Sequence, residues 1–485
     1  MADHAFRSAA ALATDIQRRE IGCRELLEHY LTRIERYNPV VNAVVTLDVE
    51  GARHRADEAD AALDRKEVWG PLHGLPMTIK DAFETMGMRT TCGFPPLADY
   101  VPRQDAIAVG RLVGAGANVI GKTNVPTLTA DVQTHNALFG VTVNPWDATR
   151  TPGGSSGGAA AALAAGLTAF ELGSDIGGSI RTPSNWCGIF GHKPTHGIVP
   201  LRGHVPPMPG AQAEPDLAVA GPMGRSADDL ALGLEVLVGP SPDRAAAWRL
   251  ELPQARTDEL PRFRIGTWLD DPAFPVDPEV REVLERAVVA LARGGAQVDE
   301  GARPKLDLAE TVRIYLQLLL PIVLADLPAA QFEALVAAGR DLPADADDAF
   351  ARTARFGAIG HREWMVANEQ REQIRLRWND FFRGHDALLL PVVPVTAIPH
   401  DPSEPLFART ITVGGARRPY HDLFSWIGLA TMALLPATVA PVGRTRSGLP
   451  VGIQIVGPYL EDRTTIELAR HLERLVGGFE APPGF

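Results

Sequence analysis

The sequence predicts an α/β protein in which helices cover a sheet, and three observations predict it. Helical spacings alternate with short apolar runs through the N-terminal quarter, long helical segments occupy 240–385, and strand-like runs return near the C-terminus as ALLLPVV, PATVAPV and VGIQIVG. Alternation of this kind is stable when each strand is buried against the helices that flank it.

The elements follow in order. Leu12, Ile16, Leu26, Leu27, Tyr30, Leu31 and Ile34 recur at helical spacing within residues 5–35, which predicts two helices. Residues 50–64 read as a third, and Gly70-Pro71 breaks the chain before PMTIKDAF. Met77 and Ile79 mark a short buried strand that delivers Lys80 and Asp81 to its end. A helix, a turn at Gly114 and Gly116, and a strand through Val119 and Ile120 are expected over 105–121. The stretch 140–224 is dense in Gly, Ser, Pro and Thr and reads as ordered functional loops. Residues 240–385 are expected to form a helical insertion or lid, after which the C-terminal strands complete the sheet.

Composition narrows the function. A chain of 485 residues is either two domains or one large α/β unit. Its net charge of −12, without long like-charge runs, provides no basic footprint for phosphates, so nucleic acid is not expected as a partner. Three distant cysteines, Cys23, Cys92 and Cys187, suggest neither a disulfide framework nor a zinc site and fit a reducing compartment. No apolar run approaches the roughly 20 residues that span a bilayer, and the N-terminus lacks a leader pattern, so a cytoplasmic protein without membrane contact is expected.

Two serine loops carry the chemistry. In TPGGSSGG, residues 151–158, glycines run into an alanine-rich helix, which leaves backbone N–H groups free to face a ligand or an oxyanion. The loop lacks the Gly-Lys-Ser/Thr ending of a phosphate loop. Ser155 satisfies Gly-x-Ser-x-Gly, the nucleophile-elbow pattern, yet NPWDATRTP before it gives no strand for an elbow to end. In GSDIGGSIR, residues 173–181, Ser179 follows two glycines whose backbone can approach a substrate closely. Consecutive N–H groups of Ile176, Gly177, Gly178 and Ser179 are candidates for an oxyanion hole, a device worth roughly 3–4 kcal/mol per donor. A serine needs a base. His73, His192 and His196 have no carboxylate partner in sequence, whereas Lys80 lies in an apolar setting that would desolvate its ammonium and lower its pKa. Taken alone, Lys80-Asp81 would read as a surface ion pair.

GPLHGLPMTIKD, GKTNVP, NPWDATRTPGGSSGG and GSDIGGSIRTPSNWCGIFGHKPTHG together resemble the signature of the amidase signature family. ELLEHYLTRIERYNPVVNAVV and LPATVAPVGRTRSGLPVGIQIVGPYLED extend the resemblance over most of the chain. It implies a single domain over 1–485 built on a large mixed, twisted sheet with helices on both faces. Residues 70–225 would be its signature core, and 240–385 a variable helical region shaping the substrate pocket. It implies Ser179 as nucleophile, Ser155 as a bridging serine preceded by a cis peptide bond that Gly154 accommodates, and Lys80 as base. Ser156 would support the bridge, Ile176 to Ser179 would form the oxyanion hole, and Asp175 and Arg181 would brace that loop. The implied cycle is acyl transfer to Ser179, release of ammonia or an amine, and hydrolysis of the acyl-enzyme, without metal or organic cofactor, in a monomer or homodimer. Cys187, among Trp186, Ile189 and Phe190, reads as a packed thiol, and Lys193-Pro194 as fold support.

TNVPTLTADVQTHNALFGVTVNPW is similar, without a gap, to its counterpart in fatty acid amide hydrolases. Where those carry methionine and phenylalanine, this chain has Thr129 and Ala130, which implies a roomier, less greasy acyl pocket, with Asp131 or Gln133 adding polarity. A bulky Phe424 or Trp426 in that space would undo the expectation. Within the family the alternative is the glutamine-hydrolysing amidotransferase subunit, which releases ammonia from glutamine for transamidation of tRNA. HGIVPLRGHVPPMPG after Lys193-Pro194-Thr195 departs from the tyrosine and basic residues usual there, and the acidic charge also favours a free-standing hydrolase of amides, with aryl amides, anilides, esters or carbamates (urethanes) open. A silent binding member of the fold is the remaining alternative, against which Lys80, Ser155 and Ser179 together argue.

Overall fold

Eleven strands between Val44 and Val456 join one sheet in the computed structural model, which describes residues 4–343, 345–346 and 348–485, and two small hairpins, His135–Asn136 with Gly140–Val141 and Thr410–Val413 with Ala416–Pro419, stand apart from it. Its strands are β1 (Val44–Leu47), β2 (Pro76–Lys80), β3 (Asn118–Thr123), β4 (Glu171–Asp175), β5 (Phe190–Lys193), β6 (Val219–Gly224), β7 (Arg264–Thr267), β8 (Gln297–Glu300), β9 (Ala387–Pro391), β10 (Ala437–Arg444) and β11 (Pro450–Val456). The order across the sheet is β1-β3-β2-β4-β6-β5-β10-β11-β9-β7-β8. Parallel pairs β2–β3, β2–β4, β7–β8 and β7–β9 alternate with antiparallel ones, so the sheet is mixed. Every residue of β2, β4, β9 and β11 is buried. Runs such as ALLLP and PVGIQIV carry no polar face because helices close both sides of the sheet.

The helices are α1 (Ala9–Gln17), α2 (Cys23–Val41), α3 (Val49–Asp64), α4 (Ile107–Gly114), α5 (Gly157–Ala164), α6 (Arg181–Cys187), α7 (Ala227–Leu237), α8 (Pro278–Arg293), α9 (Leu308–Val323), α10 (Ala329–Asp341), α11 (Ala349–Gly357), α12 (His361–Gly384), α13 (Ser425–Met432) and α14 (Asp462–Val476). Side chains start several of them: Ser8 accepts from the Ala11 N–H, Asp48 from Gly51, Ser226 from Asp229, and Asp307 from Glu310. Helix α3 packs on β3, α5 on β2 and β4, α7 on β6, α6 and α14 on β10, and α8 on β10 and β11.

The predicted helices and strands before residue 125 and after 385 are present, but two regions differ from their reading. The loops of 140–224 also contain β4, β5, β6, α5 and α6, whose glycine content masks the apolar signal. Residues 240–385 are not an all-helical insertion, because β7 and β8 extend the sheet at its edge and α8 packs on its C-terminal strands. Helices α9 to α11 pack chiefly on other helices, α9 on α11, α12 and α13 and α10 on α11. Among the described residues no helix is long and apolar enough to cross a membrane.

Candidate active site

Strands β2 and β4 are parallel neighbours with Thr78 opposite Glu171 and Ile79 opposite Leu172, so Lys80 and Ser174 emerge at the same carboxyl ends. Crevices at such ends are where α/β sheets bind ligands. Lys80 is fully buried, and its Nζ lies 2.7 Å from Ser155 Oγ and 2.9 Å from Ser174 Oγ. Burial lowers its pKa to about 7, against the opposing pull of Cys92, Asp175 and Glu171. The ion pair that sequence alone would suggest with Asp81 is not formed. Asp81 instead takes the Thr91 N–H and hydroxyl at 3.1 and 2.5 Å.

Ser155 and Ser156 stand at the start of α5, every residue of which is buried. The Gly154–Ser155 peptide is cis. A side chain on Gly154 would meet Asp131 O at 2.7 Å and Gln133 N at 2.9 Å, so glycine is required for the loop to lie against that backbone. Ser156 joins the two serine loops: its N–H donates to Ser179 O at 3.1 Å and its hydroxyl to Ser174 O at 3.4 Å.

The second loop turns through Gly178 at φ +89°, a conformation glycine adopts without strain. Its N–H donates to Asp175 Oδ1 at 2.9 Å. That bond corrects the expected oxyanion set, because an amide committed to a buried carboxylate is not free to stabilise a developing charge. Among the described residues the N–H groups of Ile176, Gly177 and Ser179 have no partner, and all three residues line one cavity. Asp175 and Arg181 brace the loop. Arg181 Nη2 and Nε donate to Asp175 at 2.8 and 3.0 Å, and the same guanidinium reaches Ile427 O, Gln454 and Thr431 at 2.7, 2.7 and 2.6 Å. Burial alone would raise the Asp175 pKa, but Arg181 overrides it and holds the carboxyl at about 2. Asp175→Asn is expected to destabilise the fold by about 3–5 kcal/mol by leaving a buried guanidinium uncompensated, read as a lower urea midpoint.

The cavity beside Ser179 has a volume of about 490 Å³. Thr129 and Ala130 line it as expected and leave room. The expectation of a less greasy pocket is overturned, because Leu316, Leu319, Leu320 and Val323 of α9, with Leu324, Leu327 and Leu335, form its far wall. Phe424 also reaches it, whereas Trp426 is buried elsewhere, edge-on to Trp268. Gln133 is absent from the lining. It bonds Asp401 through both amide atoms, at 3.0 and 2.9 Å, and donates to Tyr420 Oη at 3.2 Å, so it holds the 401–409 segment instead of facing substrate. Asp131 lines the cavity, but Arg409 and Tyr420 already hold its carboxylate at 2.6 and 2.7 Å.

Sequence reasoning missed three residues. Ser174 lies inside a quoted motif but carries no glycine frame of its own. Tyr315, in the apolar run of α9, donates to Ile176 O at 2.8 Å and ties that helix to the loop before Ser179. His204 approaches Ser174 Oγ at 2.8 Å from a loop without any local signal. Two of the histidines considered from sequence support the fold: His73 bonds Trp69 N and Ala59 O, and His192 bonds Thr438 and Asp462. Cys187 is buried against Pro152 O with its thiol pKa pushed up by desolvation, and Lys193 donates to Pro194 O. Among the described residues no group of His, Cys, Asp and Glu could hold a metal ion.

Comparison with known proteins adds the family. The family model described as Amidase matches residues 25–466. The chain is 31% identical to the A subunit of glutamyl-tRNA(Gln) amidotransferase of Synechococcus sp. (strain CC9605) over 99% of each chain. It is 32% identical to fatty-acid amide hydrolase 2-A of Danio rerio, covering 98% of this chain and 90% of that one. The crystal structure of a bacterial aryl acylamidase of the amidase signature enzymes superposes with a TM-score of 0.81 at 26% identity, over 97% of this chain and 96% of that one. The resemblance read from the motifs and the fold it implied therefore hold, and this chain belongs to the amidase signature family, whose enzymes hydrolyse C–N bonds.

Proposed function

We propose that the protein is a free-standing serine amidase in which Ser179 is the nucleophile, Ser155 the proton relay and Lys80 the base. The observation that carries this reading is the buried lysine 2.7 Å from Ser155 Oγ, beside a cavity where Ser179 and three uncommitted amides meet. A lysine near neutrality is a competent base, and apo hydrogen bonds at such sites tighten when substrate arrives. Ser179 Oγ attacks the amide carbon while its proton passes through Ser155 to Lys80. The oxyanion takes the N–H groups of Ile176, Gly177 and Ser179, and the departing amine recovers the proton by the same route. Water then hydrolyses the ester on Ser179.

The cavity favours an apolar substituent over glutamine. A zwitterionic amino acid needs charged anchors, and the two carboxylates in the lining are already engaged, Asp131 by Arg409 and Tyr420 and Glu404 by Arg409 at 3.4 Å. An uncharged aryl or alkyl amide, anilide or carbamate suits a leucine wall. A panel of p-nitroanilides, aliphatic amides, esters, carbamates and glutamine tests this. Ala130→Phe is expected to lower kcat/KM about 10- to 100-fold for bulky apolar substrates while sparing acetyl substrates. Turnover of glutamine alone, and only with partner subunits present, would establish the amidotransferase reading instead. An absence of covalent labelling and of turnover across the panel would mark a silent binding member.

A further inference from the structure

Ser174 Oγ lies between two nitrogens, 2.9 Å from Lys80 Nζ and 2.8 Å from His204 Nε2. The other ring nitrogen, Nδ1, is 2.8 Å from Pro206 O. A carbonyl only accepts, so Nδ1 carries the hydrogen. Burial of the ring and the neighbouring Lys80 charge push the His204 pKa down to about 3, so the imidazole is neutral and Nε2 accepts. Ser174 has one hydrogen and must give it to His204. Its lone pairs alone then face Lys80.

This direction matters to a base. A neutral amine has two hydrogens and one lone pair, and a Ser174 hydroxyl turned the other way would cap that lone pair. We propose that His204 is a positioning residue that, through Ser174, keeps the Lys80 lone pair free for the Ser155 hydroxyl 2.7 Å away. The inference rests on the reading of Lys80 as the base. When the Ser155 proton moves to Nζ, the ammonium keeps its bond to Ser174, so the acceptor serves both protonation states. Two contacts hold the ring in this orientation. Phe83 meets it edge-on with centroids 4.9 Å apart, and the next residue, Val205, donates its N–H to Ala82 O at 2.7 Å. The titratable groups facing Lys80 are Glu171 and Asp175 from β4, Cys92 from the loop after β2, and His204 itself. Glu171 and Asp175 make no contact with His204, whereas the Cys92 thiol donates to Val205 O beside it at 3.1 Å, a backbone contact that a side-chain substitution at His204 leaves in place.

The test compares His204→Phe, His204→Gln, Ser174→Ala and Lys80→Met on one p-nitroanilide. His204→Phe is expected to lower kcat about tenfold, the effect of one misdirected hydrogen bond, with KM unchanged. The midpoint of the rising pH limb should move below that of the parent, because Ser174 now donates to the neutral amine and stabilises it. His204→Gln, whose carbonyl can take the Ser174 hydrogen, is expected to restore both. In the Ser174→Ala background His204→Phe should add nothing. Nitrogen NMR of the parent should show the Nδ1–H tautomer unchanged to pH 5, a readout that survives even if a variant fails to fold. The Nε2–H tautomer, an unaltered pH limb in His204→Phe, or a further tenfold loss on top of Ser174→Ala would overturn the proposal. If Lys80→Met retains kcat, the base assignment itself fails. If Lys80→Met loses kcat and His204→Phe does not, only the positioning role fails.

Discussion

Ser179→Ala is expected to cut amide turnover by a factor on the order of 10⁴ to 10⁶, the scale set by removing a nucleophile while the oxyanion donors and binding groove survive. Ser179 is 7% exposed, at the floor of the cavity, whereas Ser155 is 1% exposed and bonded to Lys80. A fluorophosphonate probe should therefore add one mass to the parent at Ser179 and none to the variant. Labelling at Ser155 instead would exchange the two roles and restore the elbow reading of Gly153 to Gly157. The loss should appear in kcat, since the leucine wall that binds the apolar substituent is untouched.

Lys80→Met is expected to lower amide turnover by about 10² to 10⁴, the usual contribution of a positioned acid–base group. Esters should lose less, because a phenoxide leaves without a proton and an amine does not. The parent enzyme's pH profile gives the sign. The base must be unprotonated, so kcat/KM should climb about tenfold per pH unit below about 7 and level off above it. Methionine fills the volume of the lysine stem, so a circular-dichroism melt within a few degrees of the parent separates lost chemistry from lost packing. A flat profile between pH 5 and 8 with turnover intact would remove Lys80 from the mechanism.

The sequence disclosed the floor of the site and concealed its walls, for a physical reason. Glycines at 153, 154 and 158 are demanded by close backbone approach and Gly178 by its turn, so loops that do chemistry declare themselves locally. The commitment of the Gly178 amide to Asp175 could not be read, because it depends on how the turn closes. The pocket wall was misjudged for the opposite reason. Thr129 and Ala130 are short, but the apolar surface comes from α9 and the segment after it, whose leucines look like ordinary core in sequence. Strands β4 and β6 carry little local signal because ELGSD and VAGPMG are glycine-broken; pairing of β4 with β2, and of β6 with β4 and β5, makes them strands. His204 carried no signal, since its meaning lies in a contact with a residue 30 positions away.

The reach of Arg181 also says when this protein becomes itself. Its partners Ile427, Thr431 and Gln454 lie 246, 250 and 273 positions further along the chain. A ribosome thus delivers both serines and the lysine early, then makes more than half of the protein before the guanidinium that anchors the serine loop can hold anything beyond the neighbouring Asp175. Completion of the machinery is an event of the end of synthesis, and a growing chain carries its reactive groups without the frame that arms them.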